Sequence, residues 1–211
     1  ILQWGTAQQK TEYLPRMARG ETIGCYCLTE PNAGSDAASM ECTAALDGGD
    51  YVINGEKIWI TNGGIAQLAI VFANADRSLK HKGICAFLLP TNTPGFRREK
   101  MEGKELGHRA SDHAHIYFEN MRVPKSALLG APGEGFRVAM SALDHGRLGV
   151  AAVPEPVAAL IREKAEGNPF FSEELAYALR RAVDSHRKRG TRLADAHVIE
   201  VGGKDDELVA Q

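Results

Sequence analysis

Apolar residues recur along this chain with two different periods, and the changes between them mark out its elements. From Thr6 to Ala18 the spacing is helical, with Leu14 and Met17 on one face and Gly20 placed to end the helix. Alternation then takes over. Ile23, Cys25 and Cys27 interleave with Gly24, Tyr26 and Leu28, so both faces are apolar and a central strand is expected. Met40, Cys42, Ala44 and Leu46 describe a half-buried strand closed by Asp47-Gly48-Gly49-Asp50. Tyr51–Ile53 and Lys57–Ile60 flank Asn54-Gly55, a pair that favours tight turns, so a hairpin is predicted there. Leu68–Ala73 and Ile84–Leu89 are unbroken apolar runs joined by the charged loop Asp76–Lys82. Ala114, Ile116 and Phe118 alternate with His113, His115 and Tyr117. Strands so spaced predict an antiparallel β-barrel or sandwich within residues 21–124.

Beyond Val123-Pro124 the period returns to that of a helix, through Phe136, Met140, Leu143 and Ala151. Pro154-Glu155-Pro156 breaks it. Val157, Leu160 and Ile161 then form a short amphipathic stripe ended by Gly167-Asn168-Pro169. Ser172 is a good N-cap for a second stripe through Leu175, Leu179, Ala182 and Val183, with Glu173 and Glu174 in its first turn. From Gly190 onward the chain is polar and expected to fray. The class is therefore α+β, with helices at both ends of an all-β middle.

Charge and composition narrow the function mainly by exclusion. The net charge of −2 gives no electrostatic case for nucleic acid or an anionic membrane. Arg180-Arg181 and His186-Arg187-Lys188-Arg189 lie among glutamates, ahead of the acidic Asp205-Asp206-Glu207 and without interleaved aromatics, which suits a solvated helix end. No apolar run is long enough to span a bilayer. The chain opens at Ile1 with no charged-then-apolar leader, so no secretory signal is expected, and a start inside an apparent helix suggests a fragment. Cys25, Cys27, Cys42 and Cys85 lack metal or redox spacing and read as buried free thiols of a reducing compartment. His108, His113 and His115 read as solvated, with no metal, because no carboxylate or cysteine completes a ligand set.

The chemistry concentrates in two segments. Thr29-Glu30-Pro31-Asn32-Ala33-Gly34-Ser35-Asp36 follows a strand with hydroxyls, small residues and glycine. Lys57-Ile58-Trp59-Ile60-Thr61-Asn62-Gly63-Gly64 puts a tryptophan and a threonine two residues apart, so both leave one face of a strand. An indole face with a nearby hydroxyl suits a flat, electron-poor ring with polar edges.

With these segments, the order of Gly5-Thr6-Ala7-Gln8-Gln9-Lys10, Asn54-Gly55-Glu56-Lys57, Thr93-Pro94-Gly95-Phe96, Leu106-Gly107-His108-Arg109-Ala110-Ser111-Asp112 and Gly133-Glu134-Gly135-Phe136 resembles the acyl-CoA dehydrogenases over about residues 5–153. Asn32 departs from the family's glycine, and a left-handed backbone there would suit Asn better than most residues. The resemblance implies residues 1–20 as the end of an N-terminal helical domain and 21–124 as a flavin- and acyl-CoA-binding β-domain. Residues 125–153 would start a C-terminal helical domain, and 154–211 would be an unrelated helical tail. Part of that tail, Glu166–Phe171 with Glu173-Glu174-Leu175, resembles a helical segment of bacterial signal-transduction ATPases.

The resemblance further implies FAD, held by Tyr26, Cys27, Leu28, Thr29, Gly34, Ser35, Trp59, Ile60 and Thr61. An acyl-CoA substrate would meet Ser35 and the segment Asp144, His145, Gly146 and Arg147. Asp144 and Arg147 also share a helix face, where a surface ion pair is the plain alternative. The family reaction removes a proton alpha to a thioester while a hydride goes to the flavin, with a glutamate as base. No catalytic residue is assigned here: one family position for that glutamate is matched by Gly146, and the other lies beyond the shared region. An electron-transferring flavoprotein would take the electrons, in the cytoplasm or the mitochondrial matrix. A homo-oligomer is expected, with apolar surface left open around Met140, Leu143 and Phe170-Phe171. The chain is thus expected to be an acyl-CoA dehydrogenase-like flavoprotein with little activity alone. The alternatives are a non-catalytic flavin- or acyl-CoA-binding or interaction module, and an acyl-CoA oxidase or flavin monooxygenase on the same fold.

Overall fold

The computed structural model describes residues 1–101 and 111–150, with backbone alone for 145 and 147–150. The chain divides into two compact units, residues 1–143 and 144–211. Helix α1 (Ala7–Ala18) begins at a reciprocal cap. Thr6 Oγ1 accepts from the Gln9 amide at 3.2 Å, and Gln9 Oε1 accepts from the Thr6 amide at 2.9 Å. Gln9 is buried, and its Nε2 donates to the carbonyls of Ser126 and Leu128, fastening the helix to a distant turn. Gly20, at φ +73°, carries the chain out of the helix.

Among the described residues seven strands follow: β1 (Gly24–Cys27), β2 (Thr43–Asp47), β3 (Asp50–Thr61), β4 (Leu68–Asn74), β5 (Ile84–Pro90), β6 (Phe96–Lys100) and β7 (His113–Pro124). They form one sheet in the order β1-β4-β2-β3-β7-β6, with β5 also on β4, curled into a half-barrel. Most pairs are antiparallel, but β1 runs parallel to β4, so the sheet is mixed rather than antiparallel throughout. Nor is β1 central. It ends the ladder, and its two apolar faces have another cause: Cys25 and Cys27 face the inner core, while the Tyr26 ring meets Phe72 and its hydroxyl donates to the Ala139 carbonyl at 3.1 Å.

Asn54-Gly55 is not a hairpin. It lies inside the continuous strand β3, and the hairpin turn is instead Gly48-Gly49, between β2 and β3. Asn54 Oδ1 accepts from the Asn120 amide at 2.8 Å, where the β7 backbone bulges through φ +47° at Asn120. Gly55, at φ +137°, lets β3 lie against Cys42. Strand β6 was not anticipated, since Arg97-Arg98-Glu99-Lys100 hides its alternation.

Two apolar layers result. The concave side holds Ile53, Ile60, Val71, Phe87, Ile116 and Met121. The convex side of β4 and β5 holds Leu68, Phe72 and Leu88 beneath α1 and α2 (Gly135–Val150), with Met140 and Leu143 partly buried against it rather than open. All four cysteines are free and buried. Burial pushes the Cys42 thiol up to about 12, and it raises the Tyr26 phenol as well. Both groups are neutral in the fold. Their contribution is fully present below the ordinary thiol and phenol pKa values and is lost as pH rises through the raised ones. Urea stability is expected to hold to about pH 9 and then fall by a few kcal/mol toward pH 12. Cys42→Ala should flatten that decline, and an unchanged slope in this variant would locate the titration elsewhere.

Candidate functional site

The site is built on a bulge. In β3, Lys57 faces Ile116 and Ile60 faces Ala114, so one extra residue is spent on β3 between them. Trp59 absorbs it with φ +60°, a left-handed conformation that costs an ordinary residue about 1–2 kcal/mol. Lys57 and Ile60 can therefore both point inward, at 0% and 2% exposure, while Trp59, 47% exposed, and Thr61 point outward. The regular alternation of a strand would have put Lys57 on the face of Trp59.

The loop after β1 is fastened to this bulge from two sides. Thr29 offers its carbonyl to the Ile58 amide at 2.9 Å. Lys57 Nζ donates to the Leu28 carbonyl at 3.0 Å and to Glu30 Oε1 at 2.7 Å. The loop folds back through reciprocal backbone bonds between Glu30 and Ala33, which leaves Gly34 and Ser35 exposed. Asn32 is exposed and does not need the left-handed backbone expected of it. Cys27, Leu28 and Ile60 are buried, so they can offer a ligand only backbone groups, and Thr29 is half-buried. Tyr26 and Thr61 share a cleft of about 330 Å³ with Met17, Asn62 and Ile70. Its lining is mostly apolar, and the Tyr26 hydroxyl, which donates to the Ala139 carbonyl, leaves that residue as a ring surface.

The family model of the acyl-CoA dehydrogenase middle domain matches residues 25–121. The mitochondrial short-chain specific acyl-CoA dehydrogenase of Mus musculus is 49% identical over 152 residues, covering 72% of this chain and 37% of that enzyme. Residues 25–121 belong to the acyl-CoA dehydrogenase family. Butyryl-CoA dehydrogenase from Megasphaera elsdenii superposes with a TM-score of 0.70 at 36% identity, over 89% of this chain and 52% of that one. A glutaryl-CoA dehydrogenase from Mycobacterium smegmatis, solved in complex with FADH2, gives 0.65 at 42% identity, over 72% and 37%. The chain thus spans between about a third and a half of the length of these relatives. A second family model, a domain of unknown function, matches residues 139–183, across the expected junction near Val153.

In this acyl-CoA dehydrogenase domain the loop after Thr61 is also gripped. Asp112 accepts from the Asn62 amide through its carbonyl at 2.8 Å and from the Gly64 amide through Oδ2 at 2.7 Å. A Cβ on Gly64 would lie 2.6 Å from Asp112 Oδ1, and one on Gly63 would lie 2.9 Å from the Ala114 side chain. Arg98 donates to the carbonyls of Gly64 and Ala66 at 3.0 and 3.2 Å. Glu30, Lys57, Arg98 and Asp112 were all missed as supports of the site. The available signal was Lys57 in the phase of the core residues Tyr51 and Ile53 that precede it, where a lysine needs a partner.

On α2, Asp144 is buried. Gly146 is exposed, with no atom of the described residues within 4 Å of an added Cβ. The side chains of His145 and Arg147 lie outside the described residues, as do His108 and the helices expected after 150. His115 is not a solvated residue. Its Nε2 meets Glu56 at 2.8 Å and its Nδ1 the Tyr117 hydroxyl at 3.0 Å, with the two rings stacked. Among the described residues no group of three or more His, Cys, Asp or Glu could hold a metal, and no helix is long and apolar enough to cross a membrane.

Proposed function

We propose that this chain carries the flavin-facing wall and part of the acyl-CoA groove of an FAD-dependent acyl-CoA dehydrogenase. The observation that carries the reading is the outward pair Trp59 and Thr61 at the β3 bulge, with Thr61 sharing a cleft with the Tyr26 ring. FAD, when bound, supplies the two-electron acceptor. Trp59 would cover one face of its ring system, Thr61 would hydrogen-bond a ring edge, and backbone groups of Cys27 to Thr29 and Ile60 would border it. Ser35 would lie near the pantetheine arm, and the Asp144-His145-Gly146-Arg147 turn would meet the CoA portion. The bound FADH2 of the Mycobacterium smegmatis relative supports the cofactor.

The same reading divides the chain into residues 1–20, 21–124, 125–153 and a separate tail 154–211. It makes electron-transferring flavoprotein the electron acceptor and a homo-oligomer the working state, and the free buried thiols suit a cytoplasmic or matrix protein. A non-catalytic binding module is the second reading, favoured by Gly146, which offers no carboxylate at the alternative of the two positions where the resemblance implies a base.

FAD binding tests the proposal. The 211-residue chain should bind FAD reversibly and release it on dialysis, because these residues offer a ring-facing wall without the pyrophosphate grip the family supplies elsewhere. Trp59→Ala should weaken the interaction by about 1–3 kcal/mol, the scale of stacking on an aromatic side chain. Flavin fluorescence unmoved by the chain, or identical titrations for both proteins, would overturn the reading.

A further inference from the structure

We propose that the buried Lys57–Glu30 ion pair is a positioning device that holds Trp59 in its outward, left-handed conformation, and so sets the flavin-facing surface. The ends of the pair are 0% and 3% exposed, and their separation is 2.7 Å. Burying two charges is expensive, and such a pair is often no more stabilising than apolar residues of the same size. Its use here is better sought in what it fixes. Among the described residues, the polar contacts of the pair serve two segments, Leu28–Glu30 and Glu41-Cys42. Lys57 Nζ takes the Leu28 carbonyl and Glu30 Oε1, and Glu30 returns both oxygens to the amides of Glu41 and Cys42. The carboxylate therefore spans the base of the Thr29–Ser35 loop, and the ammonium pins that base to the residue immediately before the bulge.

The mechanical consequence falls on Trp59. Its φ of +60° is unfavourable for a tryptophan, and a strand released from its register would straighten to remove it. Straightening by one residue turns every following side chain to the other face. Lys57 cannot follow, because its ammonium is held at depth, and the Ile58 amide is held by Thr29. On the other side, Ile60 is buried. With both flanks pointing inward, the extra residue must stay at Trp59.

This inference rests on the flavin reading for its functional meaning, although the conformation of Trp59 can be measured without flavin. The experiment uses the 211-residue chain labelled with 5-fluorotryptophan, whose two tryptophans, Trp4 and Trp59, give two fluorine resonances assigned with Trp59→Phe. Lys57→Met is nearly isosteric but leaves the buried Glu30 carboxylate without its ammonium partner, a change severe enough to prevent folding. Lys57→Met/Glu30→Gln removes that charge and should recover much of the lost stability. The Trp59 resonance is expected to shift or broaden in every folded variant of the pair while Trp4 stays fixed, and FAD affinity is expected to drop at least tenfold. A double variant with wild-type Trp59 resonance would overturn the proposal by making the pair structural only. Unchanged FAD affinity alongside a displaced Trp59 would overturn its functional half. Should wild-type chain fail to bind FAD at all, the flavin reading falls, and the fluorine spectra still decide whether the pair holds Trp59.

Discussion

Gly55→Ala is expected to destabilise the domain by about 2–5 kcal/mol, a large part of the stability of a chain this size. Two effects add. At φ +137° the backbone is one that alanine rarely adopts. The new Cβ would also stand 2.8 Å from Cys42 Cα, 3.0 Å from its Cβ and 3.1 Å from its Sγ. The first neighbour is backbone, so relief requires the segment leading into β2 to move away from β3, and that segment carries the Glu41 and Cys42 amides that hold Glu30. The control is Gly34→Ala, where nothing lies within 4 Å of the added carbon and φ is not positive, so a change within about 0.5 kcal/mol is expected. Urea unfolding followed by circular dichroism compares the two. A Gly55→Ala midpoint equal to that of Gly34→Ala would show that β2 can separate from β3 at little cost.

The same glycine shows where the sequence was legible and where it was not. Period alone identified α1, β4, β5 and β7, because each buries a stripe or a face regardless of its distant neighbours. Asn54-Gly55 carries a strong local turn signal, yet β7 offers β3 a partner along nearly its whole length, and pairing with a distant strand outweighs a local preference for turning. The glycine is needed for close approach to Cys42, and the asparagine serves the Asn120 bulge. Neither role is visible in a window of a few residues. Strand β6 escaped notice because Arg98, in the phase of a core residue, spends its guanidinium on the carbonyls of the loop after Thr61. At the site, the i, i+2 spacing rightly gives Trp59 and Thr61 a common face. It would also have put Lys57 there, and only the bulge separates them.

Dye reduction by a short-chain acyl-CoA at saturating FAD is expected to stay at background for this chain, and to rise about 10²-fold or more in Gly146→Glu. Helix α2 presents Gly146 exposed, with no described atom within 4 Å of an added Cβ, at the alternative of the two positions where the family resemblance implies a proton acceptor. Abstraction of a proton alpha to a thioester needs a base, and glycine offers none. A glutamate also suits a helix interior better than glycine by roughly 0.6–1 kcal/mol, so Gly146→Glu should melt no lower than the parent. Gly146→Gln separates proton acceptance from polarity, because it has nearly the same size and hydrogen-bonding reach but no basic carboxylate. Equal rates in the glutamate and glutamine variants would remove position 146 from the chemistry. Substantial dye reduction by the parent chain, lost in Asp144→Asn, would instead make buried Asp144 the base and refute the assignment of Gly146 to that position.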